Sequence, residues 1–444
     1  MKKILFVNPS SRATVFGKMK TLALPPMGLG TLASRTPYDY AVSIVDENVE
    51  TLDFDTAADL VAVTSTTPQA PRAYEILGEF RRRGVPTILG GIHASVLPDE
   101  AARYADTVVI GEADDLWTGI LDDFDQGALR STYRAGFFPS LENQPRMRRE
   151  LFAKKYFVQT VQTSRGCPCD CNFCSVTSFN GRRYRFRPVR EVIDELAHLR
   201  ENRIFISDDS IVGLGHRCTE HAIQLFEGMR GLGKSWGSQV CITIAEHDEL
   251  LRAAAAAGAN TVYIGFESVD SAGLESMDKH VNLRPAIRNF KDAIKKLHDH
   301  GIGVIGGFIL GSDGDTPDIF DKTIDFIGET AIDGCQFTLM TPFPGTRLFE
   351  QMQRENRLLY TDFPNDWARY HCYDAVIRPR HMTVEQLQRG QRHVYRATST
   401  MSKSLTRGVR TLWNTGSPVN ALTNFFWNYG SYRALDHHGS ASAL

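Results

Sequence analysis

The amino-terminal third of the chain alternates short apolar runs, rich in β-branched residues, with longer amphipathic stretches. The runs with the length and composition of buried strands are Lys2–Asn8, Val42–Asp46, Leu60–Thr66, Thr87–Gly90 and Thr107–Ile110. The clearest helix between them is Ala70–Arg83. This alternation predicts an α/β fold, with a parallel, doubly wound, Rossmann-like domain over residues 1–135.

A second series of six strand–helix units fills the middle of the chain. The predicted strands are Tyr156–Thr163, Arg203–Ser207, Ser238–Ile242, Thr261–Gly265, Gly303–Leu310 and Gln336–Met340. The clearest predicted helices between them are Val189–Arg200, His247–Ala257, Arg284–His300 and Thr316–Gly328. Six such units predict a partial (β/α)6 TIM-like barrel over residues 156–355, with functional side chains at the carboxyl ends of its strands.

Two further regions complete the predicted organisation. Residues 136–155 include a stretch rich in Pro, Arg and Asn without strong periodicity, which predicts a linker. Residues 356–444 contain two stretches of helical character and several aromatic residues. We expect a smaller, mainly helical domain there, with most of the aromatics in its core. The basic, apolar segment Thr406–Trp413 is a candidate surface patch for a lipid-like substrate.

Composition narrows the classes of function. The 444 residues are 42% hydrophobic and 23% charged, as in ordinary globular proteins of two or three domains. The net charge of −2, without a strongly basic domain, argues against nucleic acid as a partner. The first apolar run is too short for a signal peptide, and no segment has the length of a transmembrane span. We therefore expect a cytoplasmic protein.

The cysteines carry the strongest chemical signal. Eight cysteines are too sparse for a disulfide scaffold, yet four lie within residues 167–174. Cys167, Cys171 and Cys174 have the spacing C-x3-C-x2-C, so three thiolates could hold three irons of a [4Fe–4S] cluster and leave the fourth open. Cys169 adds shorter pairs that leave a zinc site or a plain cysteine-rich loop as alternatives, although no second ligand pair follows.

The other four cysteines, Cys218, Cys241, Cys335 and Cys372, are scattered along the chain. A second cluster built from them is one interpretation, and ordinary buried thiols are the favoured one.

Acidic residues follow two of the barrel strands. Asp208 and Asp209 come directly after the second strand, where a buried carboxylate pair without a partner would be costly. A functional role is favoured over a loop or helix-capping role. Glu267 follows the fourth strand and could accept hydrogen bonds from hydroxyl or ammonium groups of a ligand. The alternative for Glu267 is a structural ion pair.

The amino-terminal strands are followed by loops of glycine and hydroxyl residues. These residues are Pro26, Gly28, Leu29 and Gly30, then Ser65, Thr66 and Thr67, then Gly90, Gly91 and His93, and finally Gly111 and Glu112. Glycines permit close backbone approach, and ligands bind doubly wound sheets at this edge. An ordinary βα protein without a ligand would carry similar residues, so the loops alone leave both interpretations open.

The cysteine motif and its flanks resemble the radical S-adenosylmethionine (SAM) superfamily. The resemblance implies that the open iron chelates SAM and that the reduced cluster cleaves it to a 5′-deoxyadenosyl radical. Phe173 matches an aromatic position near the adenine, whereas Cys169 stands where the family usually has an aromatic residue. The further positions that the resemblance assigns to SAM are Asp208, Asp209, Gln239, Glu267, Gly306, Gly307, Thr341 and Pro342.

The loops of residues 1–135, in their order, resemble the cobalamin-binding domain of B12-dependent radical SAM enzymes. The matches are Pro-Pro-x-Gly-Leu, a Ser/Thr run, Gly-Gly-x-His and Gly111-Glu112. Two departures stand out. The Asp-x-His-x-x-Gly signature is missing, and Ala113-Asp114-Asp115 replaces a second Gly-Glu pair. The resemblance therefore implies cobalamin bound without a histidine ligand, with His93 as a hydrogen-bonding residue of the pocket.

The resemblance implies a C-methyltransferase acting at an unactivated carbon of a small-molecule or lipid-like metabolite. On that scheme one SAM methylates cobalamin and a second generates the radical. We expect a reductant such as flavodoxin or ferredoxin. A cyclase, ring-contracting or rearranging enzyme with the same cofactors is one alternative, and a cluster- or cobalamin-based sensor is another. A sensor would need a DNA-binding or output module, and the sequence shows no sign of one. A tRNA methylthiotransferase would need a second, amino-terminal cluster, yet no cysteine precedes Cys167.

Overall fold

The computed structural model describes residues 1–11, 23–152, 156–285, 287 and 289–441. These residues form two six-stranded parallel sheets with flanking helices, a short antiparallel ribbon, and a helical carboxyl-terminal region. The α/β architecture predicted from the sequence is confirmed. Part of the predicted linker, residues 153–155, lies outside the described residues.

The first sheet contains β1 Lys3–Asn8, β2 Ala41–Asp46, β3 Leu60–Thr64, β4 Thr87–Gly90, β5 Thr107–Ile110 and β6 Thr132–Arg134. Its helices are α1 Met27–Arg35, α2 Ala70–Arg82, α3 Ile92–Val96, α4 Pro98–Ala101 and α5 Trp117–Asp125. The strand order is β2-β1-β3-β4-β5-β6, with every pair parallel. The order reverses beside β1, which opens a ligand crevice at the carboxyl ends of β1 and β3. All five predicted strands are present, whereas the three-residue edge strand β6 was not predicted.

The second sheet forms the barrel. Its strands are β7 Gln159–Val161, β10 Arg203–Ile206, β11 Ser235–Val240, β12 Ala259–Glu267, β13 Gly303–Leu310 and β14 Gly334–Leu339. A separate antiparallel ribbon pairs β8 Ser164–Arg165 with β9 Arg185–Phe186. The helices are α6 Val176–Phe179, α7 Val189–His198, α8 His216–Met229, α9 Asp248–Ala256, α10 Ser271–Ser276, α11 Phe290–Asp299, α12 Ile319–Glu329 and α13 Arg347–Arg354. Because every sheet pair is parallel, the six carboxyl ends share one edge.

Several predicted barrel elements differ from the structure in their bounds. The strand predicted as Ser238–Ile242 is β11 Ser235–Val240, and a 3₁₀ helix begins at Ile242. The predicted strand Tyr156–Thr163 is shorter, as β7 Gln159–Val161, and the amide of Thr163 donates to Oδ1 of Asp208. The predicted helix Arg284–His300 begins only at Phe290, where Asn289 caps it by accepting a hydrogen bond from the amide of Asp292. Two positions of that predicted helix, 286 and 288, lie outside the described residues.

Over its described residues, the carboxyl-terminal region contains three α-helices, one more than the two helical stretches predicted, besides a short 3₁₀ helix at Asn365–Arg369. They are α14 Val384–Ser399, α15 Met401–Thr415 and α16 Pro418–Ala441. The aromatic residues expected in the core are buried, as predicted. Trp367, Tyr370 and Tyr395 are each at most 1% exposed, and His371 and Tyr373 are 8% and 9% exposed.

One hydrophobic core joins the first sheet to the barrel. It contains Leu5 and Val63 from the first sheet, Met277 and Leu348 from the barrel, and Trp367 from the region that follows. The indole of Trp367 also donates hydrogen bonds to both carboxylate oxygens of Glu100, each 3.1 Å long. The regions are therefore held in a fixed arrangement. Within the described residues, every helix is too short or too polar to cross a bilayer.

Candidate active site

The cysteine loop lies between β8 and α6, at the carboxyl-terminal edge of the barrel. Its entry is fixed by backbone contacts. The amide of Gly166 donates to Oδ2 of Asp209 over 3.1 Å, and the amide of Cys167 donates to the carbonyl of Gly181 over 3.2 Å. Gly166 has φ +90°, and a Cβ there would collide with the carbonyl oxygen of Arg183.

The four thiols of the loop differ in environment. A hydrogen bond with Cys169 lowers the pKa of Cys167 to about 6, and Tyr184 lies 3.9 Å from the sulfur of Cys167. Burial raises the pKa of Cys171 to about 12 and that of Cys174 to about 11. Iron binds thiolates, so loading the loop with a cluster must release protons from the buried thiols.

The donor set of this loop fits an iron–sulfur cluster. A [4Fe–4S] cluster takes one thiolate on each of its irons, and three thiols at the predicted spacing lie here within eight residues of one loop. Among the described residues, no group of three His, Cys, Asp or Glu side chains is arranged to hold a single metal ion. Cys167, Cys171 and Cys174 could each supply one such thiolate.

Asp208 and Asp209 hold the backbone that leads into the cysteine loop. Asp208 is 3% exposed, and its carboxylate accepts hydrogen bonds from the amide and hydroxyl of Thr163 and, over 2.8 Å, from the hydroxyl of Ser164. Burial raises the pKa of Asp208 to about 6. The sequence predicted that this pair faces a ligand. In the structure both oxygens of Asp208 and Oδ2 of Asp209 contact the chain itself, and the ligand role stays a prediction.

Glu267 forms a largely buried ion pair, the alternative that the sequence left open, with a partner that the sequence did not identify. Its Oε1 lies 2.9 Å from Nζ of Lys279, and the two side chains are 12% and 16% exposed. Burial disfavours the ammonium, yet Glu267 raises the pKa of Lys279 above its usual value. Glu267 sits at a register shift in β12 and has φ +63°, a conformation that is strained for glutamate.

The remaining positions assigned to SAM occupy neighbouring strand ends. Gln239 is exposed between buried neighbours on β11, and a Cβ at Gly307 would collide with the phenol of Tyr263. The other positions assigned to SAM are packed against, or hydrogen-bonded to, other parts of the chain. Thr341 is buried and donates to the carbonyl of Leu339 over 3.0 Å. Gly306 faces packed side chains, Pro342 is buried, and Phe173 packs against the core that joins the two sheets.

The loops after β3 and β4 form one cradle at the crevice of the first sheet. The amide of Ser65 donates to the carbonyl of Gly90, and the amide of His93 donates to the carbonyl of Ser65, both over 3.1 Å. The hydroxyl of Ser65 is buried without a hydrogen-bond partner among the described residues. Gly91 has φ +94°, and a Cβ there would lie 2.7 Å from the hydroxyl of Thr64. An unsatisfied hydroxyl and a close backbone approach fit a bound ligand such as cobalamin.

The other loop residues of the crevice have varied surroundings. Pro26 precedes α1, and Gly28, Leu29 and Gly30 lie in its first turns, with Gly30 tightly packed against Met147. Thr66 is exposed and Thr67 is buried at the start of a short 3₁₀ helix. Gly111 has φ +86°, and its amide donates to the hydroxyl of Ser95 over 2.9 Å.

His93 lies in a buried network and does not face an open crevice. It is 0% exposed. Its Nε2 lies 3.1 Å from the hydroxyl of Tyr74 and 3.2 Å from a carboxylate oxygen of Glu100, and its Nδ1 lies 3.4 Å from the hydroxyl of Thr67. Both ring nitrogens are therefore engaged by the protein.

Glu112 belongs to a charge cluster that links the first sheet to the β8–β9 ribbon beside the cysteine loop. This interdomain charge cluster consists of Glu112 and Asp114 after β5, Arg165 on β8 and Arg185 on β9. Nη1 of Arg165 lies 2.7 Å from Glu112 and 2.9 Å from Asp114, while Arg185 binds Glu112 through both terminal nitrogens. Glu112 and Asp114 are 6% and 7% exposed.

The electrostatics of the cluster agree with its geometry. Burial favours the neutral acid at Asp114, but the hydrogen bonds from Arg165 hold its pKa below the usual value. Because Arg165 lies two residues before Cys167, the cluster joins the cysteine loop to the loop after β5. Nothing in the sequence indicated this role of Arg165, and Asp114 was notable there only as a departure from the family pattern.

Family models match both parts of the chain. The model of the radical SAM superfamily matches residues 161–327, and that of the B12 binding domain matches residues 27–121. These matches coincide with the barrel and the first sheet. The chain therefore contains a radical SAM domain and a B12 binding domain, the combination found in cobalamin-dependent radical SAM enzymes. Its cofactors are a [4Fe–4S] cluster, SAM and cobalamin.

Similar curated proteins carry methyltransferase names. Bacteriochlorophyllide d C-12(1)-methyltransferase of Chlorobaculum tepidum is 29% identical over 96% of this chain and 93% of the relative. Hopanoid C-2 methylase of Rhodopseudomonas palustris is 27% identical over 76% of this chain and 66% of the relative.

Solved structures share the fold. The cobalamin-dependent SAM radical enzyme OxsB with aqua-cobalamin bound superposes with a TM-score of 0.70 at 16% identity, covering 99% of this chain and 81% of OxsB. The methyltransferase TsrM from Kitasatospora setae, with cobalamin and a [4Fe–4S] cluster bound, gives a TM-score of 0.67 at 15% identity, covering 96% and 99%.

We predict that the interdomain charge cluster stabilises the arrangement of the first sheet relative to the β8–β9 ribbon and the cysteine loop. Replacing Arg165→Met leaves buried Asp114 without its hydrogen-bonded partner and should lower the free energy of unfolding by about 3–5 kcal/mol, measured by urea denaturation. The matched control is Arg182→Met. The side chain of Arg182 is 63% exposed and pairs with Asp170 at the surface, so its loss should cost less than about 1 kcal/mol.

A second substitution tests the pairing itself. Adding Asp114→Asn to the Arg165→Met variant removes the uncompensated charge and should recover part of the lost stability. Equal losses in the Arg165 and Arg182 variants would contradict a stabilising role.

Proposed function

We propose that this protein is a C-methyltransferase that acts at an unactivated carbon of a small-molecule or lipid-like metabolite. The observation that carries the proposal is the interdomain charge cluster. It joins the cysteine loop to the cobalamin-type loop after β5 through buried ion pairs. Transfer of a methyl group to a carbon radical needs the two cofactor sites at a fixed separation, and this contact supplies such a constraint.

The proposed roles follow from the residues on each side of this contact. Cys167, Cys171 and Cys174 would hold the cluster, and Glu267 and Gln239 would contact SAM. Ser65 and Gly91 would line the cobalamin cradle. His93 would hold the loop after β3 in place, because its amide donates to the carbonyl of Ser65. Bound to these residues, the cofactors supply a carbon-centred radical and a transferable methyl group.

The class of substrate is supported by the names of the relatives. A bacteriochlorophyllide and a hopanoid, named for two similar methyltransferases, are both large and mainly apolar. We expect a substrate of comparable character, together with a reductant such as flavodoxin or ferredoxin. A cyclase is the second candidate, because anaerobic magnesium-protoporphyrin IX monomethyl ester cyclase of Rubrivivax gelatinosus is 25% identical over 79% of this chain.

Product analysis tests the function. The protein is reconstituted anaerobically with iron, sulfide, cobalamin, SAM and dithionite, and candidate polycyclic substrates are added. A methyltransferase should form S-adenosylhomocysteine and 5′-deoxyadenosine and add one methyl group to the substrate, as measured by mass spectrometry. Formation of 5′-deoxyadenosine without S-adenosylhomocysteine would favour the cyclase, and formation of neither would contradict both enzymatic functions.

We predict that Cys167, Cys171 and Cys174 hold one cluster. Alanine at any of the three should remove the cluster or abolish SAM cleavage, because each supplies one thiolate. The matched control is Cys169→Ala, which should keep about four irons per chain, measured by iron analysis and electron paramagnetic resonance. A cluster that depends on Cys169, or two clusters per chain, would refute the assignment.

We predict that Glu267→Ala weakens SAM binding by about tenfold to a hundredfold. A carboxylate hydrogen bond to a charged ligand contributes about 1.5–3 kcal/mol, and the cysteine loop belongs to a different element, so the cluster absorbance should stay unchanged. SAM affinity is measured by equilibrium dialysis under anaerobic conditions.

Lys279→Met separates this role from the ion pair. If Glu267 serves only Lys279, both variants should lose stability to a similar degree and keep the SAM affinity of the unmodified protein. That outcome would make Glu267 a structural residue.

A further inference from the structure

Helices α15 and α16 carry large apolar side chains on their outer surfaces. Eight of the fourteen exposed large apolar side chains in the described residues belong to these two helices. They are Met401, Leu405, Val409, Leu412 and Trp413 on α15, and Val419, Leu422 and Phe426 on α16. The spacing of three or four residues gives each helix an apolar stripe, and Trp413 is 89% exposed.

The fully buried residues of the same helices are small and polar, while the half-buried Phe425 and Trp427 of α16 lie against Gly408 and the carbonyl of Cys335. The buried residues of α15 are Ser404, Gly408 and Thr411, and those of α16 include Asn420, Asn424, Asn428 and Ser431. Soluble proteins normally bury their apolar residues, so this pair of helices has an inverted distribution. Small and polar contacts between helices, with apolar side chains outside, are typical of helices whose outer surroundings are lipid.

The polar faces are fixed to the barrel, so the apolar stripes cannot turn inward. The hydroxyl of Thr411 donates to Asp333 over 2.6 Å, and the amide group of Asn428 donates to the carbonyl of Asp333 over 2.8 Å. Asn420 donates to the carbonyl of Gly301 over 3.3 Å. These contacts lie at the amino ends of β13 and β14, at the edge of the barrel opposite the cysteine loop.

The charge of this region is one-sided. Residues 386–435 contain seven Lys and Arg residues and neither Asp nor Glu, although the whole chain has a net charge of −2. Lys403 and Arg410 of α15 are exposed, as are Arg389 and Arg396 on the preceding helix α14. A cationic surface that carries exposed apolar side chains is complementary to anionic lipid headgroups above an acyl layer, and it would repel a second copy of itself.

We propose that the α15–α16 hairpin attaches this protein to the surface of an anionic lipid bilayer. Its apolar stripes enter the boundary between headgroups and acyl chains, with Trp413 in the position that tryptophan favours at such interfaces. Neither helix, over its described residues, is long and apolar enough to cross the bilayer, so the hairpin lies in its surface. Because the hairpin is at the amino-terminal edge of the barrel, attachment leaves the cysteine-loop edge open.

Vesicle flotation of the full-length holoenzyme tests the attachment. The protein should float with vesicles of phosphatidylcholine and phosphatidylglycerol, bind at least tenfold less to phosphatidylcholine alone, and be released by high salt. The triple variant Leu405→Ser, Trp413→Ser, Phe426→Ser should bind anionic vesicles at least tenfold less. The matched control replaces Tyr38, Phe137 and Phe157, which are also exposed, with serine and should bind like the unmodified protein.

Further measurements decide between a bilayer and another occupant. Trp413 fluorescence should shift to shorter wavelength and be quenched by brominated lipids when vesicles are added. A dimer that the triple variant converts to monomer, with no vesicle binding, would overturn the proposal, as would equal binding of both triple variants. SAM cleavage in the absence of vesicles should be the same in the triple variant, so failure here is distinguishable from failure of the proposed methyl transfer.

Discussion

The buried pairing of Arg165 with Glu112 and Asp114 is the constraint on which the site depends. Burying charge is favourable only when partners are supplied, and here they come from two different sheets. The positions of the cysteine loop and of the loop after β5 are therefore not independent. A rotation of the first sheet relative to the β8–β9 ribbon would leave at least one charge buried without a partner. The free-energy cost of that charge therefore favours a single arrangement of the two loops.

Much of the fold could be predicted from the sequence because parallel strands buried on both faces have a simple signature. Strands such as Thr87–Gly90 and Gly303–Leu310 have the predicted bounds. The cysteine spacing and the glycine-rich loops likewise indicated the family and its cofactors, since these depend on local sequence.

What could not be predicted depends on long-range contacts. Arg165 and Lys279 belong to no recognisable motif in the sequence. Their role depends on the carboxylates that they bind, which lie 53 residues away for Arg165 and 12 residues away for Lys279. The oxygens of Asp208 bind the backbone and hydroxyl of Thr163, 45 residues earlier, which no periodicity reveals. In the same way, the inverted faces of α15 and α16 become meaningful only once the structure shows which side meets the barrel.

The core that joins the first sheet, the barrel and Trp367 limits how such proteins can diversify. Leu5, Met277 and Trp367 pack in one cluster, and Trp367 also binds Glu100. A chimera that took its first sheet from one relative and its barrel from another would bring together two halves of this core that are not matched in shape. Recombination within this group should therefore preserve the chain from the first strand through Trp367 as a single unit, and new specificity should arise by substitution in loops.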